Sequence, residues 1–241
     1  MDRKNVIIIG ASSGIGRELA KIFCENGYVV GLAARRLDLL AELKKELPGS
    51  SFITRMDIAH PDNAMKIFED LVKEMGGLDI VVIAAGIGFI NADLLWEKEK
   101  STIDVNASGF AAMANVAMKR FIEQGSGQIV GISSIAAIRG DSYAPAYSAS
   151  KAFMSNYLEG LRSKVKKMKV PITVTEIQPG FVDTAMAKGD GLFWVAPVRK
   201  AATQIFIAVK KKREHAYVTR RWRIIAWLLK IIPRALLPKI Y

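Results

Sequence analysis

The sequence is poor in cysteine and in long apolar runs. Its single cysteine, Cys24, cannot form an internal disulfide, and this composition favours a reducing, cytoplasmic location. The first apolar run, 6–9, passes directly into glycines and does not resemble a secretory signal. A transmembrane helix needs about 20 mainly apolar residues, whereas Lys230, Pro233 and Arg234 interrupt the C-terminal apolar runs. We therefore expect no internal disulfide, signal peptide or transmembrane helix.

Acidic residues are scarce at the C-terminal end. Residues 199–241 contain 12 lysines and arginines but one acidic residue, Glu214, and so account for all but one of the 12 net positive charges. The remaining residues are nearly neutral, as in an ordinary soluble enzyme. The basic residues alternate with aliphatic ones, and no base-stacking platform accompanies them, so nucleic-acid binding is not expected.

The hydrophobic content of 51% is sufficient for one substantial core. Short β-branched runs alternate with longer amphipathic segments along the chain. This pattern predicts an α/β fold with a single domain, namely a doubly wound, Rossmann-like parallel sheet with helices on both faces. We assign this domain to residues 1–218 and treat residues 219–241 as a basic, apolar tail.

A glycine-rich turn follows the first predicted strand. Glycine lets the backbone turn tightly and approach a ligand phosphate at the N-terminus of the next helix. A short packing loop without any ligand is the alternative. The turn residues that we expect to contact a dinucleotide are Gly10, Ser12, Ser13, Gly14, Ile15 and Gly16.

The end of the second predicted strand lacks an acidic residue and carries Arg35 and Arg36 instead. In dinucleotide-binding folds an acid at this place binds the ribose 2′-hydroxyl, whereas an arginine accommodates a 2′-phosphate. The pair therefore favours NADP(H) over NAD(H), with Arg35 as the better candidate. The alternative is two solvated charges that precede a helix.

The third and fourth predicted strands end in further candidates. Asp57 and Ile58 follow the third strand, where the carboxylate either meets an adenine amino group or caps the next helix. Ala85 and Gly86 follow the fourth, where small residues either let a ligand approach or form a plain tight turn.

Tyr147 and Lys151 are four residues apart in a helical pattern and lie on the same helix face. Ser134 follows a short strand, and Asn106 lies near the start of an alanine- and methionine-rich helix predicted over residues 100–124. Taken alone, the tyrosine and lysine are a packed aromatic ring beside a snorkelling amine, and the serine is a turn residue.

Together, these motifs resemble the short-chain dehydrogenase/reductase family, in its compact branch of about 250 residues. The resemblance extends over residues 4–218 and includes Pro179-Gly180, followed by Thr184. It rests on order and spacing, with Ser134 thirteen residues ahead of Tyr147. The family implies about seven parallel strands and no metal.

In one place the chain departs from the family. The usual Asn-Asn-Ala-Gly turn is Ile83-Ala84-Ala85-Gly86 here, so we expect altered local geometry but no lost catalytic group. The resemblance also implies a homodimer or homotetramer formed through the helices at 100–124 and 143–167.

The resemblance implies hydride transfer between a nicotinamide and a carbonyl or hydroxyl group. Tyr147 exchanges the proton, and the Lys151 ammonium favours its ionised form and binds the nicotinamide ribose. Ser134 bonds the substrate oxygen, and Asn106 holds a water that connects Lys151 to bulk solvent. The cofactor contacts implied beyond the glycine-rich turn are Arg35, Arg36, Asp57, Ile58, Ala85, Gly86, Tyr147, Lys151, Pro179, Gly180 and Thr184.

Residues 180–198 are expected to form the substrate lid. Besides Gly180 they hold Gly189 and Gly191, and they carry no polar signature for a substrate. Apolar side chains on such a segment suit an apolar substrate, or they attach the loop to the core. They are Phe181, Met186, Leu192, Phe193, Trp194 and Val195.

The tail admits two interpretations. It lies in a membrane surface through residues 220–241, where Trp222 and Trp227 add interfacial side chains, or it packs as an apolar arm on its own domain or on a second subunit. In the first case it also feeds a lipid-like substrate into the site. On a helical wheel its basic residues share one side: Arg220, Arg223, Lys230 and Arg234.

We therefore expect an NADP(H)-dependent carbonyl reductase or alcohol dehydrogenase that acts on an apolar, lipid-like substrate. Reduction of a 3-oxoacyl thioester on an acyl carrier protein is an alternative, since an acidic carrier suits the basic tail. A membrane-associated protein that binds NADP(H) without catalysis is another.

Overall fold

A computed structural model of the chain describes residues 3–187 and 192–233. Its centre is a parallel sheet of seven strands in the order β3-β2-β1-β4-β5-β6-β7. The predicted doubly wound sheet is thereby confirmed. The strands are β1 (Asn5–Ile9), β2 (Val29–Ala34), β3 (Ser51–Arg55), β4 (Ile80–Ile83), β5 (Gly127–Ile132), β6 (Ile172–Pro179) and β7 (His215–Val218).

Helices cover both faces of the sheet, and each face has its own apolar core. The helices α1, α2 and α7 pack on one face, where Cys24 is buried, and α3, α5 and α6 pack on the other. The helices are α1 (Gly14–Glu25), α2 (Leu37–Glu46), α3 (Pro61–Met75), α4 (Trp96–Ile103), α5 (Phe110–Gln124), α6 (Pro145–Met168), α7 (Val198–Lys210) and α8 (Trp222–Ile231).

The helix predicted over residues 100–124 ends at Gln124 as predicted, but it begins earlier, at Trp96, and contains a π-helical turn. The structure has α4, then a π-helical turn at Asp104–Gly109, then α5. A π-turn inserts one extra residue into the helical repeat, and the hydrophobic period carries no clear signal for a single such turn.

The strand order reverses beside β1, which pairs with β2 on one side and with β4 on the other. Because all strands are parallel, the segments that follow β1, β4, β5 and β6 emerge at one edge of the sheet. Ligands of doubly wound folds bind at this carboxyl edge.

The tail packs on its own domain with one face of α8. Trp222 and Ala226 are buried against Ile135, at the start of a 3₁₀ turn, Ile135–Ile138. The expectation that Trp222 is an interfacial side chain is therefore wrong, because its indole is 2% exposed. Arg234 and the lid glycines Gly189 and Gly191 lie outside the described residues. Among residues 3–187 and 192–233, no helix is long and apolar enough to cross a membrane.

Candidate active site

The glycine-rich turn brings two segments of backbone into direct contact. A Cβ at Gly10 would lie 2.5 Å from the Ala85 nitrogen, and one at Gly16 would lie 2.3 Å from the Gly10 carbonyl oxygen. Glycine is therefore required at both positions. The helix α1 begins at Gly14 without an acidic residue in its first turn, and the first N–H groups of a helix attract anions. This end of α1 fits a pyrophosphate.

Arg36 folds over this turn. Its Nη2 donates to Ser12 Oγ at 3.0 Å and to Ser13 Oγ at 2.9 Å. Arg35 is exposed, and no hydrogen bond or ion pair of its side chain occurs in the part of the chain that the structure describes. Arg36 is thus the arginine that contacts the glycine-rich turn, and which of the two arginines binds a phosphate stays a prediction.

Asp57 does not cap α3. Its Oδ1 accepts from Ala59 N at 3.0 Å, while α3 begins after His60 without a side-chain cap. The capping alternative is therefore wrong, and the adenine contact stays a prediction. Neighbouring Ile58 is buried, and its carbonyl oxygen would lie 2.3 Å from a Cβ at Gly109.

The predicted catalytic side chains come together at the carboxyl edge of β5. Ser134 caps the N-terminus of the 3₁₀ turn, and its Oγ accepts from Ala136 N at 3.1 Å. Lys151 is 5% exposed and donates from Nζ to the Ile132 carbonyl at 3.0 Å. The same ammonium lies 5.7 Å from the centre of the Tyr147 ring. Gly88 lies against this ring as well, since its Cβ would be 2.6 Å from Tyr147 Cδ2.

Burial has the largest effect on the pKa values of both Lys151 and Tyr147. It lowers the pKa of Lys151 to about 8. It also raises the pKa of Tyr147, and the nearby Ser134 hydroxyl opposes this with a smaller effect. Burial disfavours the phenolate in the chain by itself, and the effect of the Lys151 ammonium on Tyr147 stays a prediction. A neutral phenol is the proton donor that carbonyl reduction needs.

Asn106 lies in the π-helical turn and is fully buried. Its Oδ1 accepts from Ile87 N at 2.9 Å, and its Nδ2 donates to the Ile87 carbonyl at 2.7 Å and to Ser150 Oγ at 3.0 Å. A Cβ at Gly86 would lie 3.3 Å both from Asn106 Oδ1 and from Lys151 Nζ. The asparagine thus fixes the loop after β4 and faces the same small space as the lysine.

The lid base joins the glycine-rich turn to the end of β6. A Cβ at Gly14 would lie 3.3 Å from Thr184 Cγ2, so that Thr184 is beside the predicted pyrophosphate site. The Gly180 N–H, directly after Pro179, donates to the Val218 carbonyl at 2.6 Å. A bridge between Val182 and Ala196 closes the base of the lid.

The sequence did not predict that α8 packs beside the site. A Cβ at Gly180 would lie 2.0 Å from Trp222 Cε2, so the indole fills the space beside the Pro179-Gly180 turn. The Trp222 ring centre is 5.2 Å from Phe181 and 5.1 Å from Phe193. The lid aromatics therefore do attach the loop to the rest of the protein. Glycine at position 180 was the available signal, but its partner is distant in sequence.

The site fits a dinucleotide along its whole length. The N-terminus of α1 and Arg36 would hold phosphates, Asp57 and Ile58 lie after β3 for the adenine, and Lys151 lies beside Gly86 for the nicotinamide ribose.

Comparisons with known proteins agree with this geometry. Residues 4–191 match the family model for short chain dehydrogenases. An uncharacterized oxidoreductase of Myxococcus xanthus is 37% identical over 191 residues, which cover 77% of this chain and 75% of that protein. The human 3-oxoacyl-[acyl-carrier-protein] reductase is 32% identical over 186 residues, 75% of this chain and 76% of that protein.

Solved structures share the fold. A short-chain dehydrogenase from Sphingobium yanoikuyae in complex with NADPH is 25% identical, with a TM-score of 0.77 over 96% of this chain and 97% of that chain. Others of this fold hold NAD or 5-hydroxy-NADP.

Proposed function

The chain belongs to the short-chain dehydrogenase family and is an oxidoreductase, and from this premise we propose that it uses NADP(H) to reduce the carbonyl group of an apolar, lipid-like substrate or to oxidise the corresponding alcohol. The observation that carries the proposal is the convergence of Ser134, Tyr147 and Lys151 at the edge where the glycine-rich turn also lies.

The protein side chains would perform the acid–base and positioning steps. A bound nicotinamide supplies or accepts the hydride. In reduction, the Tyr147 hydroxyl donates its proton to the substrate oxygen, and burial keeps this phenol neutral. The Ser134 hydroxyl donates a hydrogen bond to the same oxygen as negative charge develops there. Lys151 would bind the nicotinamide ribose, and Asn106 would hold the water beside it.

The preference for NADP(H) is supported by Arg36, which crosses the phosphate-binding turn, and by the missing acid after β2. A fluorescence titration with NADPH and NADH tests it in the wild-type protein, Arg36→Ala and Arg35→Ala. We expect NADPH to bind at least about tenfold more tightly, a difference of about 1.4 kcal/mol. Arg36→Ala should remove most of this preference, and Arg35→Ala less. Equal affinities in the wild-type protein would overturn the assignment.

The apolar substrate is supported by exposed apolar side chains on both sides of the site, among them Phe89 and Phe193. The test is a series of aldehydes and methyl ketones of increasing alkyl length. We expect kcat/KM to rise with length, because each buried CH₂ contributes about 0.8 kcal/mol. A flat series, or faster turnover of polar sugars, would contradict this proposal.

A 3-oxoacyl thioester is the second candidate, because relatives named as 3-oxoacyl-[acyl-carrier-protein] reductases are among the matches. An acidic carrier protein would meet the basic side chains of Arg220, Arg221 and Arg223. Activity on a carrier-bound thioester that exceeds activity on the ketones and falls with salt would favour this candidate.

Binding of NADP(H) without catalysis is the third candidate, and a Tyr147→Phe variant with unchanged biological function would favour it. A homodimer or homotetramer and a cytoplasmic location with peripheral membrane contact complete the proposal.

A further inference from the structure

Exposed apolar side chains are concentrated at the catalytic edge. In the described part of the chain, 19 large apolar side chains are exposed, and 14 of them lie in the loops after β4, β5 and β6, at the first residue of α4, or in α8. We call these 14 the apolar rim. They are Phe89, Ile90, Leu94, Leu95, Trp96, Tyr143, Met186, Phe193, Trp194, Val195, Ile224, Trp227, Leu228 and Ile231.

The apolar rim lies along one edge of the sheet. The strands β4, β5, β6 and β7 are neighbours in the sheet, and parallel strands present their following segments at the same edge. Two contacts join these segments in pairs. Asn91 N, after β4, donates to the Tyr143 carbonyl, after β5, at 2.7 Å. Arg221, after β7, donates from Nη2 to the Trp194 carbonyl in the lid at 2.8 Å.

Hydrogen bonds of a buried asparagine fix the loop after β4, which carries several apolar side chains of the rim. Asn91 is 2% exposed, and its Nδ2 donates to the Leu95 carbonyl at 3.2 Å and to Glu99 Oε1 at 2.6 Å. Its Oδ1 accepts from Leu95 N at 3.0 Å. These bonds hold Leu94, Leu95 and Trp96 outward although none of the three is buried.

Helix α8 supplies the other side of the rim. Its Trp222 face is buried, whereas Trp227 is 61% exposed on the opposite face. Arg220, Arg221 and Arg223 flank this exposed face, and residues 219–233 contain no acidic residue. Tryptophan, aliphatic side chains and arginines together on one surface suit the headgroup region of an anionic bilayer.

We propose that the apolar rim binds the surface of a bilayer that contains anionic lipid, with α8 on one side of the catalytic site and the loop after β4 on the other. Contact on both sides turns the mouth of the site toward the lipid, so that a substrate dissolved in the bilayer enters without crossing water. The substrate route rests on the proposed function, whereas the docking surface does not. A two-sided contact distinguishes this proposal from binding through the tail alone.

Vesicle binding of the full-length protein tests the proposal. The probes are phosphatidylcholine vesicles with and without phosphatidylglycerol, followed by sedimentation at low and high salt. We expect tighter binding to the anionic vesicles and weakening by salt. Lipids brominated in their acyl chains should quench the fluorescence of Trp96, which is 63% exposed, and of Trp227. Trp96→Phe and Trp227→Phe should each remove part of this quenching, and Trp222→Phe should remove little.

Matched variants locate the surface. Leu94→Ser on one side and Ile224→Ser on the other should each weaken vesicle binding at least about tenfold, which corresponds to about 1.4 kcal/mol. The control is Ile207→Ser on α7, which is exposed but outside the rim and should leave binding unchanged. Equal effects of all three variants, an effect of Ile224→Ser alone, or absence of vesicle binding would overturn the proposal.

Other occupants give different results. If a second copy of the chain covers the rim, Leu94→Ser will lower the oligomeric state in solution and vesicles will not compete, which contradicts bilayer docking. The NADPH titration without vesicles tests the proposed function separately. Failure of that titration with intact vesicle binding would refute the reductase and leave the docking surface standing.

Discussion

Helices α6 and α8 both border the catalytic edge, yet they differ in what defines their roles. The helix α6 carries Tyr147 and Lys151, whose chemistry and spacing are visible in the sequence. The helix α8 contributes Trp222 to a wall beside Gly180 and Trp227 to the surface. Two tryptophans of one helix thus have opposite environments. A reacting group is recognised by residue type, whereas a packing face depends on which surface the fold presents to it.

The largest expected effect concerns the α6 side of this comparison. Tyr147→Phe removes the proton donor and keeps the ring against Gly88, so kcat should fall about 10²- to 10⁴-fold. NADPH affinity should change little, since the ring stays in place. Steady-state kinetics and a titration check both statements. The control is Tyr143→Phe, which changes an exposed tyrosine in the preceding loop. An equal loss of kcat in this variant would contradict the assignment of Tyr147 as the proton donor.

The next largest effect concerns the α8 side. Trp222→Ala should lower the free energy of unfolding by about 3 to 5 kcal/mol, because it empties the space between Gly180 and the lid aromatics. Trp227→Ala should change it by about 0.5 kcal/mol or less. Trp222→Phe should cost less than alanine, since Nε1 has no hydrogen-bond partner among the described residues. Denaturant unfolding measures all three, and equal costs for the two tryptophans would refute the buried and exposed faces of α8.

The pH dependence of stability tests whether the Lys151 ammonium of α6 is buried. Its pKa is about 8 in the folded chain against an ordinary value of 10.5. Between these values the unfolded chain binds more protons than the folded one, so stability rises with pH. Relative to Lys151→Met, the wild-type protein should gain roughly 2 kcal/mol between about pH 7 and pH 10.

The gain levels off above the ordinary pKa of 10.5, where the lysine of the unfolded chain loses its proton as well. The raised pKa of Tyr147 changes stability in the opposite sense above pH 10.0, but both proteins keep this tyrosine, so that its contribution cancels in the difference. Denaturant unfolding of both proteins at matched pH supplies the numbers. A difference between the two proteins that stays flat or falls with pH would mean that the ammonium is solvated rather than buried.

The sequence predicts most of the fold and of the catalytic group, because buried parallel strands and the Ser134, Tyr147 and Lys151 spacing are local or ordered signals. The π-helical turn around Asn106 was missed, since one inserted residue barely alters a helical period. The choice between Arg35 and Arg36 depends on side-chain direction after β2.

The role of Trp222 depends on a contact with Gly180, 42 residues earlier in the sequence. The membrane face of α8, the oligomeric state and the cofactor preference stay predictions.

The smallest expected effect concerns the connection between the two helices. Arg139 follows the 3₁₀ turn that Ser134 caps, and its guanidinium donates to the carbonyls of Leu229, Lys230 and Ile232 at 2.7, 3.0 and 3.1 Å. These are carbonyls at the C-terminal end of α8, which lack partners within a helix and attract a cation.

Arg139→Gln should therefore cost about 1 kcal/mol of stability, and hydrogen exchange should show faster opening of α8 than of α6. Arg139→Lys keeps the charge but not the planar fork of donors, so an intermediate effect is expected. Arg223→Gln, at an exposed position of α8, is the control. If exchange in α6 accelerates as much as in α8, Arg139 supports the catalytic loop as a whole. In that case the two helices open as one cooperative unit, and they differ only in that α6 carries the reacting side chains.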